Sequence, residues 1–97
     1  MDSFVYILAS KKNGTLYVGV TKDIWRRIYQ HKTEWNDGFT KKYWVKILVY
    51  YEKFWYIVDA IAREKQLKKW KRERKKRLVE TNNPEWKDLY CMSEIEI

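Results

Sequence analysis

Ninety-seven residues, one cysteine, 45% hydrophobic and 35% charged residues and a formal charge of +8 at neutral pH fit one domain, residues 1–97, with enough apolar mass for a core. The lone Cys91 excludes an in-chain disulfide or cysteine zinc cage and suits a reducing cytoplasm, while MDSFVYILAS lacks the cationic start of a secretory signal and no stretch nears the ~20 apolar residues of a membrane span. A charge this large on so small a body favours polyanionic partners, nucleic acid above all, over a basic protein with no such partner.

In chain order, Phe4–Ala9 (FVYILA) is β-branched and aromatic and is expected to be a strand. SKKNGT follows, and Asn13-Gly14 signals a hairpin. Leu16–Val20 (LYVGV) is the returning strand. Thr21 is the expected cap of a first helix reaching about Lys32, with Asp23 in its first turn. Residues 33–43, with Asn36-Asp37-Gly38, are expected to be a loop. Trp44–Glu52 (WVKILVYYE) is the most strand-like run. A second helix is expected over Ile57–Trp70 and a third over Glu73–Thr81, stopped by Pro84. The tail from Trp86 onward carries no clear signal. The order β-β-α-β-α-α implies an α+β fold, a small three-stranded antiparallel sheet opening with a β-hairpin and flanked by helices.

Polar residues interrupt two apolar stripes. On the first helix, Arg27 and His31 share the side of Ile24 and Ile28. On the second, Ile57, Ala60, Ile61, Leu67 and Trp70 form the stripe and Glu64 falls within it. An unpaired buried carboxylate costs several kcal/mol or shifts its pKa. Glu64 therefore needs a partner: an arginine, a hydrogen-bond network or a metal ion. A structural pair with Arg27, or an acid at the stripe's edge reaching water, would satisfy it equally well. In the hairpin, a two-residue Asn-Gly turn sets Ser10 opposite Tyr17 and Leu8 opposite Gly19. Tyr6 and Tyr17 then share a face with Gly19, whose missing side chain leaves room.

These residues, in order, resemble a known family. Phe4-Val5-Tyr6, Tyr17-Val18-Gly19, Arg27, His31 and Glu64 are similar to the motifs of GIY-YIG nuclease domains. The segments VYIL, LYVGVT, DIWRRIYQH, AIAREKQLKKW and NNPEWKDL resemble the small stand-alone bacterial UPF0213-type members. Phe4-Val5 replaces Gly-Ile of the family name, and the tyrosine is kept. The resemblance implies metal-dependent cleavage of a phosphodiester. By position, Tyr17 would be the general base or would orient the attacking water, with Tyr6 hydrogen-bonding beside it. Arg27 would neutralise the scissile phosphate, Glu64 would bind one divalent cation, Mg²⁺ or Mn²⁺, and His31 would assist proton movement. Asn83 would match a polar residue near the site.

The chemistry agrees with those roles. A guanidinium fork suits two phosphate oxygens as charge builds, and one hard carboxylate suits Mg²⁺, which keeps most of its waters. Tyrosine, with a pKa of about 10, needs nearby cations to act as a base. Gly19 would admit the substrate, and Arg26, Lys68, Lys71 and Arg72 would contact its backbone; the tract from Lys68 to Arg77, with only Glu73 to offset it, reads as a phosphate-contacting ridge or as a solvated helix face. Trp25 either stacks on a base or packs on Tyr29. The expected function is an endonuclease acting on DNA in preference to RNA, selective for structure rather than sequence, with a protein partner as one source of specificity. The alternative is a non-catalytic nucleic-acid-binding module on the same fold. An interaction protein whose charge serves solubility is a third reading, separated from the others by the salt dependence of binding.

Overall fold

The computed structural model describes residues 2–33 and 44–90. The expected turn at Asn36-Asp37-Gly38, Cys91 and the tail beyond Tyr90 lie outside the described residues. The elements are β1 (Ser3–Ala9), β2 (Leu16–Thr21), α1 (Ile24–Lys32), β3 (Ile47–Phe54), α2 (Ile57–Lys69) and α3 (Arg72–Asn82). The expected α+β class and element order are those observed. The strands form one antiparallel sheet in the order β2-β1-β3.

β1 is central and covered on both faces, which explains why its sequence is a nearly continuous apolar run rather than an alternation. Val5, Ile7 and Ala9, with Val18 of β2 and Val49 of β3, pack against Ala60 and Leu67 of α2 and Val79 of α3. Tyr6 and Leu8, with Leu48 of β3, pack against Ile24 and Ile28 of α1 and against Val45 and Tyr90. The sheet thus separates two apolar layers, one under α1 and one under α2 and α3.

Local chemistry moved several boundaries. The hairpin loop has four residues between Ser10 and Thr15, not two: the Ser10 N–H donates to the Thr15 carbonyl (3.0 Å) and the Gly14 N–H to the Lys11 carbonyl (2.9 Å). Asn13, not Gly14, takes the left-handed conformation, with φ 61°. Gly14 is needed for space, since a Cβ there would lie 2.2 Å from Ser10 Oγ. The register is therefore Tyr6 opposite Gly19 and Leu8 opposite Tyr17. This differs from the expected pairing by an even step, so the same side chains keep the same face. Asp23, not Thr21, caps α1, its carboxylate accepting from the Arg26 N–H at 3.2 Å. Thr21 Oγ1 in turn accepts from the Asp23 N–H at 3.1 Å. β3 starts later than expected because Trp44 has φ 57°, which no strand continues through. On α2 the buried stripe runs through Ala60 and Leu67, and Ile61 is 37% exposed. Arg63, one turn after Ala60, is partly buried instead and pairs with Glu52 through Nη2 at 3.0 Å.

A β-bulge between Ile7 and Leu8 of β1 leaves Val49 as the extra residue on β3. Val49 and Tyr50 consequently both face the α2–α3 layer. Asn83, the residue closing α3, ties this point down. Its Nδ2 donates to the Val49 carbonyl (3.1 Å) and the Lys87 carbonyl (2.9 Å), and its Oδ1 accepts from the Lys87 N–H (3.0 Å). Asn83→Ala should cost about 1–3 kcal/mol, because it strands buried backbone groups. Urea unfolding at unchanged m-value checks this. The tail, unassigned from sequence, returns to the body: Trp86 enters the α2–α3 layer and Tyr90 the α1 layer. The Asp88 carboxylate meets Lys32 and accepts from the Leu48 N–H at 3.3 Å. Among the described residues no helix is long and apolar enough to cross a membrane.

Candidate active site

The α1 face of the hairpin brings four of the singled-out side chains together. Tyr6 stands opposite Gly19, and its ring lies across that position. A Cβ on Gly19 would fall 2.4 Å from the Tyr6 hydroxyl oxygen and 2.5 Å from Cζ. The tyrosine can occupy this place only because residue 19 has no side chain. Its hydroxyl meets His31 Nε2 at 3.1 Å. His31 is there because helix periodicity puts it on the Ile24–Ile28 side of α1, against the sheet. Tyr17, two positions from Gly19 on the same face, packs against both rings. Its centroid is 5.5 Å from that of His31 and 6.3 Å from that of Tyr6.

Arg27 completes the group. Burial opposes its charge, but the Tyr6 hydroxyl beside it, followed by that of Tyr17, more than offsets this, and the guanidinium pKa lies above its ordinary value. Arg27 is cationic at every working pH. Its Nη1 also donates to Gln30 Oε1 at 3.4 Å. Gln30 is the i+3 neighbour of Arg27 on the same helix, a spacing present in the sequence and absent from the motifs above. Burial divides the four residues. Tyr6 and His31 are each 1% exposed and form a floor. Tyr17 and Arg27 are half-buried and reach solvent.

Except for Arg26 on α1, the other expected residues are carried by α2, α3 and their ends. Glu64 lies between Ala60 and Leu67 on α2, the helix packed on the sheet face opposite the two tyrosines. Its side chain is 14% exposed, and its carboxylate is held by Lys68 Nζ at 2.7 Å. The considered Arg27–Glu64 pair is therefore not the one formed. Lys68, Lys71 and Arg72 are exposed, on α2, at the turn and on α3. The basic tract is thus carried by the layer away from the tyrosines. Part of it packs, with the Arg74 guanidinium 3.9 Å from the Trp70 ring centroid. Arg26 is exposed on α1. Asn83, 7% exposed, has its amide engaged by the backbone bonds given above and ties the end of α3 to β3. Trp25 packs, but on Tyr51 and Tyr90, with centroids 5.9 Å away in both cases, and not on Tyr29.

A second polar cluster went unnoticed in the sequence. Tyr50 donates to Glu52, which also accepts from Arg63 Nε at 3.0 Å. Burial first, then the Glu52 carboxylate, pushes the Tyr50 phenol above its ordinary range, so it stays a donor. Every charge in this group has a partner, and its role is to join β3 to α2. Among the described residues no three His, Cys, Asp or Glu side chains gather closely enough to enclose a metal.

Residues 2–77 match the profile of the GIY-YIG catalytic domain. A UPF0213 protein of Staphylococcus saprophyticus is 34% identical over 79 residues, which is 81% of this chain and 96% of the relative. A UPF0213 protein of Staphylococcus aureus strain Mu3 is 36% identical over 80 residues, with the same coverage of 81% and 96%. The solution NMR structure of the UPF0213 protein BH0048 from Bacillus halodurans superposes with a TM-score of 0.57 at 29% identity, covering 92% of this chain and 94% of that one.

Proposed function

This chain belongs to the GIY-YIG nuclease family, and on that premise we propose that it is a metal-dependent endonuclease hydrolysing phosphodiester bonds of DNA, in preference to RNA, with selectivity for structure rather than sequence. The observation that supports this reading is the pairing of a solvent-reaching phenol, Tyr17, with a solvent-reaching guanidinium, Arg27, over the buried Tyr6–His31 contact at 3.1 Å.

Hydrolysis adds negative charge to the phosphate oxygens. Arg27 meets that charge with its fork, held by Gln30 and the two phenols. Tyr17 orients the attacking water. Tyr6 and His31, closed off from solvent, act as positioning residues: they fix Tyr17 and Arg27 rather than touch substrate. Their contact gives a path for a proton, with Tyr6 O–H donating when Nε2 carries no hydrogen.

Glu64 is the proposed metal ligand. A single carboxylate suffices for Mg²⁺ or Mn²⁺, which retain most of their waters. Its present partner, Lys68, is more than half exposed (side chain 52%), so the ammonium can turn out to solvent and leave the carboxylate to a divalent cation. When bound, the cation would supply positive charge for the reacting phosphate. Mn²⁺ titration calorimetry of wild type should show binding that Glu64→Ala loses. The cleavage test uses branched, flapped and linear DNA and RNA with Mg²⁺ or Mn²⁺, and cutting that survives Glu64→Ala would defeat the assignment.

A second reading has its own support. Glu64 pairs with Lys68 on a helix packed against the sheet face opposite the tyrosines, as it would in a binding module that cuts nothing. Binding without cleavage across the whole substrate panel would select it.

A further inference from the structure

The base of the β1–β2 loop and the start of α3 enclose a cavity of about 290 Å³ lined by Thr15, Leu16, Arg72 and Lys75. We propose that this niche is a phosphate-binding site. Arg72 is fixed for the purpose, with its Nη2 donating to the Asn13 carbonyl at 2.7 Å and the rest of its fork left over. Lys75, half-buried one turn along α3, lines the same cavity. Among the described residues neither cation forms an ion pair with a carboxylate. Two like charges brought to one partly enclosed place repel, and burial, then the Arg72 charge, holds the Lys75 pKa below its ordinary value. An anion between them relieves both penalties. A guanidinium fork, an ammonium and the Thr15 hydroxyl match the oxygens of a phosphate, with space for attendant waters at about 30 Å³ each.

The niche opens on α3 and on Leu16, which packs in the α2–α3 layer. The next residue, Tyr17, faces the α1 layer. Because β2 is an edge strand, a polymer crossing its free side meets Arg72 and Lys75 on one face and Tyr17 and Arg27 on the other. The phosphate is then a backbone group of the nucleic acid, an identification that rests on the nuclease reading; the same chemistry would equally hold a free phosphate.

The test follows the backbone amides of residues 15, 16, 72 and 75 by NMR during titration with inorganic phosphate and, separately, with a single-stranded oligonucleotide. Lys75→Gln removes a charge without removing a hydrogen bond, and Arg72→Gln serves as a second variant. Shifts at these amides that vanish in Lys75→Gln support the site. Displacement of phosphate by the oligonucleotide identifies the backbone as the source, whereas a response to phosphate alone identifies a free anion. With the oligonucleotide, the slope of log affinity against log salt should shrink by about 1 in Lys75→Gln. No perturbation with either probe, or one that Lys75→Gln leaves intact, overturns the site. DNA cleavage with an unchanged salt slope in Lys75→Gln would reject the niche as a backbone contact and keep the nuclease, whereas phosphate bound here by a chain that cuts nothing would keep the niche and reject the nuclease.

Discussion

If the chain cuts DNA as proposed, Arg27→Ala should lower the single-turnover rate of cleavage by roughly 10²–10³-fold, the usual loss when one preorganised donor to a developing oxyanion is removed. The expectation comes from its placement: the guanidinium is half-buried, steadied by Gln30 and by two phenols that strengthen its charge, and still open to solvent. Arg27→Lys should recover only part of the rate, since an ammonium keeps the charge but loses the planar fork. Thermal melting separates a chemical effect from a structural one. Arg27 is outside both apolar clusters, so Tm should move far less than for a core truncation. A wild-type rate in Arg27→Ala would remove Arg27 from the chemistry.

Gly19→Ala is the second large effect, and it needs no assumption about the reaction. The new methyl carbon would lie 2.4 Å from the Tyr6 hydroxyl and 2.5 Å from Cζ. Tyr6 has nowhere to retreat, being 1% exposed on the central strand under α1. Overpacking of this kind costs about 1–3 kcal/mol, or roughly 4–8 °C in Tm per kcal/mol for a domain of this size. Displacing Tyr6 also breaks its contact with His31, so cleavage should fall further than stability alone explains. Tyr6→Phe should not rescue the variant, because the ring carbon clashes as badly as the oxygen does. A Gly19→Ala protein with unchanged Tm would mean that the phenol does not lie across residue 19.

Most of the fold could be read from periodicity alone. Period two assigned Tyr6, Tyr17 and Gly19 to one face, and period 3.6 turned Arg27 and His31 towards a core. Those two rules tolerate a boundary error, so the four-residue loop did not disturb them: the register moved by an even step. Other features depend on tertiary contacts that no local pattern encodes. Asn-Gly favours a tight turn, but the Ser10 side chain accepts from the Thr15 N–H at 3.0 Å and widens the loop. The bulge at Val49 is stabilised by Asn83, far along the chain. Ile61 is expected inside but is exposed, and the partly buried flank of the stripe is instead Arg63, because β3 supplies Glu52. The Glu64–Lys68 pair follows a spacing visible in the sequence. The sheet face on which that helix packs is not visible there, and this placement is what leaves a second reading of the function open.

The segment after α3 works as a buckle. Asn83 clasps the kink in β3, Trp86 plugs one apolar layer, Asp88 grips Lys32 of α1, and Tyr90 closes the other layer. Prising it open would wet both sides of the sheet at once. Loosening of the two layers is thereby coupled, through β3 and α1, to the release of residues 83–90.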